Sequence, residues 1–140
     1  MKPKVALLVL ALAGVCFGSA GMDRWAALSQ IESGDNDKAV GKKGEVSRYQ
    51  ILPDVWAAFS RDDANWQNAK EALAVAKEAM KKRCADFEQT FHRVPTDFEF
   101  YVLWKAPAQI QQPGSVVKER ATRFCNLLSK KDELVSTPKQ

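Results

Sequence analysis

Histidine and cysteine are scarce in this chain, with one histidine and three cysteines among 140 residues. His92 has no cysteine or carboxylate clustered near it, which argues against zinc, because zinc sites gather three or four side-chain ligands. Asp35-Asn36-Asp37 has the look of a calcium loop, but Ala39 stands where that spacing needs an oxygen ligand. The three are read as turn residues instead, and no metal or other cofactor is expected. A strong charge of one sign is also missing. Without residues 1–20 the chain holds 19 basic and 17 acidic residues, a net +2. That balance is too weak to point to nucleic acid, although it permits an anionic polymer. Beyond Phe17 there is no long apolar run, no internal repeat and no low-complexity stretch. Strand-type alternation is weak throughout. What is left is a mainly α chain of one domain, with an ordinary hydrophobic content of 46%.

The first 20 residues read as a signal peptide. Lys2 and Lys4 form a positive start, Val5 to Phe17 an apolar run, and Gly18-Ser19-Ala20 a small-residue cleavage site. A retained N-terminal anchor is the alternative, although the run is short for a membrane span. Cys16 follows Val15, where lipid attachment calls for a small residue, so acylation is not expected. The protein is expected to be exported, to a periplasm or out of the cell. No stable membrane span should remain after cleavage. Export permits disulfides. Cys84 and Cys125 fit either a bridge, which by loop entropy adds roughly 4 kcal/mol, or two buried thiols.

Helical patterns then follow one another. Asp23 is a good N-cap, and Trp25, Leu28 and Ile31 recur at helical spacing up to Glu32. Glu32 shares their face, four residues after Leu28. An apolar surround raises a carboxyl's pKa, and the negative end of the helix dipole acts in the same direction. Both favour the protonated form that a general acid needs. Gly34 suits a left-handed C-cap. Gly41 to Gly44 reads as a flexible basic turn, and Pro53 opens a short helix with Val55, Trp56 and Phe59 inward. A long helix is predicted from about Trp66 to His92, buried along Trp66, Ala69, Leu73, Ala76, Met80, Cys84, Phe87 and Phe91. It reads as a central packed helix rather than a dimerising coiled-coil seam, and a monomer is expected. Thr96 and Glu99 form a capping box for a helix, residues 98–106, that is apolar nearly all round and therefore buried. A last helix from about Val116 to Lys130 points Val117, Ala121, Phe124 and Leu128 inward. Residues 131–140 form a polar tail.

Three short stretches carry a further pattern. The first is Glu32-Ser33 closing a helix. The second runs from Gly44 to Ile51, GEVSRYQI. The third is Leu103-Trp104-Lys105-Ala106-Pro107 on an apolar helix. In this order they resemble the lytic transglycosylase (SLT) domains of the lysozyme-like superfamily, which are related to goose-type lysozymes. The resemblance covers roughly Trp25 to Leu128. The family's catalytic acid falls on Glu32 and its next serine on Ser33. In the family pattern Gly-x-x-Gly-Leu-Met-Gln-Ile, Gly44, Gln50 and Ile51 match. Ser47 replaces the second glycine, Arg48 the leucine and Tyr49 the methionine. In the third stretch the family has Tyr-Asn-Ala-Gly. Only Ala106 matches outright, while Trp104 keeps an aromatic ring with one hydrogen-bond donor that would contact the acid.

The resemblance implies a small lysozyme-like helical domain around a long central helix, spanning residues 21–130. It implies an enzyme that cuts the MurNAc–GlcNAc β-1,4 bond of peptidoglycan glycan strands. One glutamic acid, Glu32, would protonate the glycosidic oxygen and then act as base while the muramic 6-hydroxyl closes a 1,6-anhydro ring. Neither a metal nor a second carboxylate is required. Ser33, Tyr49, Gln50 and Trp104 are the candidate substrate-binding residues. Arg48 is a candidate contact for a muramyl carboxylate or stem peptide, and Tyr101 is expected in the core. Two alternatives stay open. One is hydrolysis as in goose-type lysozymes, which when inverting needs a base about 6.5–9.5 Å from the acid, with Asp35 and Asp37 as candidates. The other is a non-catalytic module that binds peptidoglycan or docks on another envelope protein, which a cleft filled by Trp104 and Lys105 would favour.

Overall fold

A computed structural model describes residues 21–129, so the expected signal peptide and the polar tail lie outside the described residues. The described chain is mainly α. Five helices follow in order: α1 (Arg24–Ser33), α2 (Pro53–Phe59), α3 (Ala69–Phe91), α4 (Asp97–Lys105) and α5 (Ser115–Ser129). A 3-10 turn at Pro107–Gln109 links the last two. Among the described residues the only strand-like pairing is two isolated antiparallel bridges, Val40 with Val46 and Val46 with Ile51. They draw the loop between α1 and α2 into a small folded lobe.

Local chemistry sets most of the helix ends. The Asp23 carboxylate accepts the N–H groups of Trp25 and Ala26 at 2.8 and 3.0 Å and starts α1. Gly34 ends it in the left-handed conformation, with φ of 63°, and returns its N–H to the Gln30 carbonyl. Thr96 and Glu99 make the expected capping box on α4. The predicted start of the long helix at Trp66 is corrected. Asn68 accepts the N–H groups of Lys70 and Glu71, and α3 begins only at Ala69. A capping asparagine competes with the helix for its own backbone, so Trp66 stays in the preceding turn.

The most enclosed element is α4, where the five residues from Phe100 to Trp104 are all buried. It packs against α3 on one side and α5 on the other, while α1 packs on α5. Trp25 meets the Phe100 ring edge-on at 5.7 Å. Phe100 stacks on Phe124 at 5.9 Å, and Tyr101 leans on the same Phe124 at 5.6 Å. Full burial of side chains such as Leu28 and Phe124 is worth about 1.5–3 kcal/mol each. The inward stripe of α3 is rotated from the expected one. Ala72, Val75, Ala76, Ala79, Met80 and Phe87 are buried, whereas Leu73, Cys84 and Phe91 pack at its edge. Cys84 and Cys125 are free, half-buried thiols, so the thiol alternative is the one observed. Burial pushes both thiols above the ordinary range.

Candidate functional site

Helix α1 delivers Glu32 against α4. The Tyr101 hydroxyl donates to Glu32 Oε1 at 2.6 Å, and the Lys105 ammonium donates to Oε2 at 3.0 Å. Tyr101 and Lys105 are one turn apart on α4, so a single helix face supplies both donors. The Glu32 side chain is 1% exposed and that of Lys105 31%, so the carboxylate lies behind the ammonium. Burial and the Glu32 charge push the Tyr101 phenol well above its ordinary range, and Arg120 of α5 offsets part of this. The phenol therefore stays a donor.

The contact to the acid differs from the expected one. Tyr101, expected in the core, makes it, and Trp104 does not. Trp104 instead packs under Arg83 at 5.8 Å. Arg83 donates to the carbonyls of Leu103 and Trp104 at 2.9 and 2.7 Å, so it caps the C-terminal end of α4. That cap fixes the helix end on which Lys105 stands.

A cavity of about 90 Å³ opens beside Lys105, lined among others by Lys43, Glu45, Gln50, Arg83 and Trp104. Gln50 and Trp104 thus meet at the Lys105 side of Glu32. Gln50 takes a positive φ of 52°, and its amide donates to the Ser47 carbonyl at 3.1 Å. Ser47 also takes a glycine-like φ of 71°, at the position where the resembled pattern has glycine. Its hydroxyl accepts the Tyr49 N–H at 3.2 Å, a local bond that helps a non-glycine residue hold such a turn.

Ser33 and Tyr49 lie elsewhere. The Ser33 hydroxyl donates to the Arg48 carbonyl at 2.8 Å and accepts the Asn36 N–H at 3.0 Å. It fastens the loop to the end of α1. Tyr49 is buried, meets Trp25 edge-on at 6.3 Å, and lines a wider groove of about 880 Å³ with Trp25, Ser29, Asp35, Arg48 and Lys77. Arg48 grips Asp37 through two hydrogen bonds of 2.6 and 2.9 Å, which holds Asp37 below the ordinary carboxylate range. Asp35 accepts the Ser29 hydroxyl at 2.5 Å. Arg48, Asp37 and Asp35 all have partners within the protein.

Comparisons with protein-family models, with curated proteins and with solved structures find no match. Among the described residues, no group of three or more histidine, cysteine, aspartate or glutamate side chains is placed to hold a metal ion, and no helix is long and apolar enough to cross a membrane.

The sequence pattern singled out Glu32 but not Tyr101 and Lys105 as its partners. The signal for them was available in the spacing. Tyr101 and Lys105 are four residues apart in a helix, whereas Trp104 projects about 60° short of the Lys105-to-Tyr101 face at 3.6 residues per turn. Once one of them meets the acid, the other follows.

Proposed function

We propose that this protein is an exported peptidoglycan-cleaving enzyme in which Glu32 is the proton donor, acting as a lytic transglycosylase on the MurNAc–GlcNAc bond. The observation that carries the reading is the Glu32–Tyr101 pair. A carboxyl at the end of α1 is held by a phenol from the distant α4, and the Lys105 that pairs with it lines a cavity together with Gln50. Tyr101 orients one oxygen and leaves the other, Oε2, to Lys105. Protonated on Oε2 once Lys105 has left that oxygen, a single carboxyl can pass the proton to a glycosidic oxygen and then take one back as the 6-hydroxyl attacks the anomeric carbon. The arrangement favours this over a hydrolase using Asp35 or Asp37, since Asp37 is locked to Arg48 and Asp35 to Ser29. Of the other candidates, Gln50 and Trp104 line the cavity, which supports a part for them in sugar binding, and Ser33 and Tyr49 support the loop.

A second reading is favoured by one specific observation. Lys105 pairs with Glu32 and covers it, as expected of a non-catalytic module that binds peptidoglycan. Digestion of purified peptidoglycan by the wild type and by Glu32→Gln, with products identified by mass, separates the readings. Anhydro-muropeptides from the wild type alone establish the transglycosylase. Products heavier by one water establish hydrolysis. Binding without any product from either protein establishes the module.

A further inference from the structure

The cavity beside Lys105 holds a carboxylate other than Glu32. Glu45 lines it together with Lys43, Gln50, Arg83 and Lys105. The position of this carboxylate is built into the turn. The Lys43 N–H donates to Glu45 Oε2 at 2.8 Å. Gly41 provides the room, because a Cβ there would stand 2.3 Å from Glu45 Oε2 and 2.7 Å from Gln50 Oε1. Two polar heads therefore converge over the bare backbone of Gly41. A carboxylate offers about four lone-pair sites, so Glu45 has acceptor capacity beyond the turn. The N–H groups of Glu45 and Lys43 hold its pKa below the ordinary carboxylate range, and the Lys105 charge adds to this.

Lys105 now sits on Glu32 at 3.0 Å. Its ammonium is a compact charge with three donors on a flexible four-carbon stem, well suited to exchanging one carboxylate for another. We propose that Glu45 is the alternate seat of Lys105, a positioning residue that draws the ammonium off Glu32 when a sugar enters the cavity. The proposal rests on the reading of Glu32 as proton donor. With Lys105 on Glu32, the carboxylate is paired and covered. With Lys105 on Glu45, Glu32 keeps the Tyr101 hydroxyl and its second oxygen is free of the ammonium. No covalent bond changes, and the ammonium remains paired in both states. The charged and titratable groups facing this exchange are Tyr101 and Lys105 from α4, Arg120 from α5, Arg83 from α3, and Lys43 and Glu45 from the loop.

The test has an arm that does not depend on turnover. The Lys105 ammonium resonance is followed in nitrogen-labelled protein for the wild type, Glu32→Gln and Glu45→Gln. Two seats require both substitutions to shift it, and require added chitooligosaccharide to move the wild-type resonance toward its Glu32→Gln position. A resonance that ignores Glu45→Gln overturns the proposal. In digestion, Glu45→Gln lowers turnover about two- to fivefold, the scale of one partly exposed ion pair, with KM unchanged. Glu45→Asp recovers part of the loss. In a Lys105→Gln background, where no ammonium covers Glu32, Glu45→Gln has no further effect. An equal loss in that background means that Glu45 only holds the turn, and overturns the proposal. Wild-type protein that cleaves no glycan, while its Lys105 resonance answers to both carboxylates, defeats the proton-donor reading and leaves the two-seat pairing standing.

Discussion

The Tyr101 hydroxyl and Glu32 Oε1 meet at 2.6 Å across 69 residues of sequence, and this bond joins the end of α1 to the middle of α4. The carboxylate is almost fully enclosed, so each donor to it matters. Hydrogen bonds to charged groups contribute about 1.5–3 kcal/mol, and a buried group that loses its partner carries the desolvation penalty. Tyr101→Phe is therefore expected to destabilise the fold by roughly 2 kcal/mol, read from chemical denaturation. Under the proposed function it should also cut peptidoglycan turnover more than binding, because Glu32 loses its orientation and the cavity walls are unchanged.

Arg83 makes a second prediction. Its guanidinium satisfies two carbonyls at the end of α4 and lies over Trp104. Burial works against its charge, so the site holds it by geometry. Arg83→Met keeps the volume and strands both carbonyls. A cost of about 2 kcal/mol is expected, along with higher hydrogen exchange at Trp104 and Lys105. Arg83→Lys should recover less than half of it, since one ammonium does not reproduce the planar fork.

How far the sequence foretold the molecule depended on the range of the interaction. Caps are local, and Asp23, Gly34, Thr96 and Glu99 all act where their spacing placed them. Asn68 and Glu71 stand at the same three-residue spacing, but the apolar periodicity through Trp66 masked the cap. The Ser47 turn was recognisable as a replaced glycine, yet its positive φ depends on the bridges from Val46 to Val40 and Ile51. The partners of Glu32 belong to tertiary structure. Whether Tyr101 or Trp104 reaches it depends on how α4 is rotated about its axis, and contacts with Phe124 and Arg83 set that rotation.

The third prediction concerns pH. Arg93 binds Glu99 through two hydrogen bonds of 2.6 and 2.8 Å. Those bonds are the chief reason that the Glu99 carboxyl falls to about 2 from an ordinary value of 4.5. A carboxyl with a depressed folded value stabilises the fold fully above its unfolded value, and the benefit is lost as pH falls through the folded one. Stability should therefore decline between about pH 5 and pH 2. Glu99→Gln should flatten that decline and lower stability at pH 7. Denaturant midpoints at pH 7, 5, 4 and 3 for the two proteins measure the difference, and equal slopes would refute the role of the pair.

The fourth prediction separates conformation from hydrogen bonding at Ser47. This residue is fully buried and has φ of 71°, a region that costs a residue with a Cβ about 1–2 kcal/mol. Its hydroxyl also accepts the buried Tyr49 N–H. Ser47→Gly removes the strain together with the hydroxyl, two changes of opposite sign, and should alter stability by less than about 1 kcal/mol. Ser47→Ala keeps the strain and strands the Tyr49 N–H, so it should cost about 1–3 kcal/mol. Ser47→Val adds β-branching in the same left-handed conformation and should cost more than alanine. The order glycine, alanine, valine in denaturation midpoint, with Gln50 displaced from the cavity wall in the valine variant, is the expected result. Alanine as stable as glycine would mean that the turn relaxes to negative φ, so that Gln50 does not depend on Ser47 for its place.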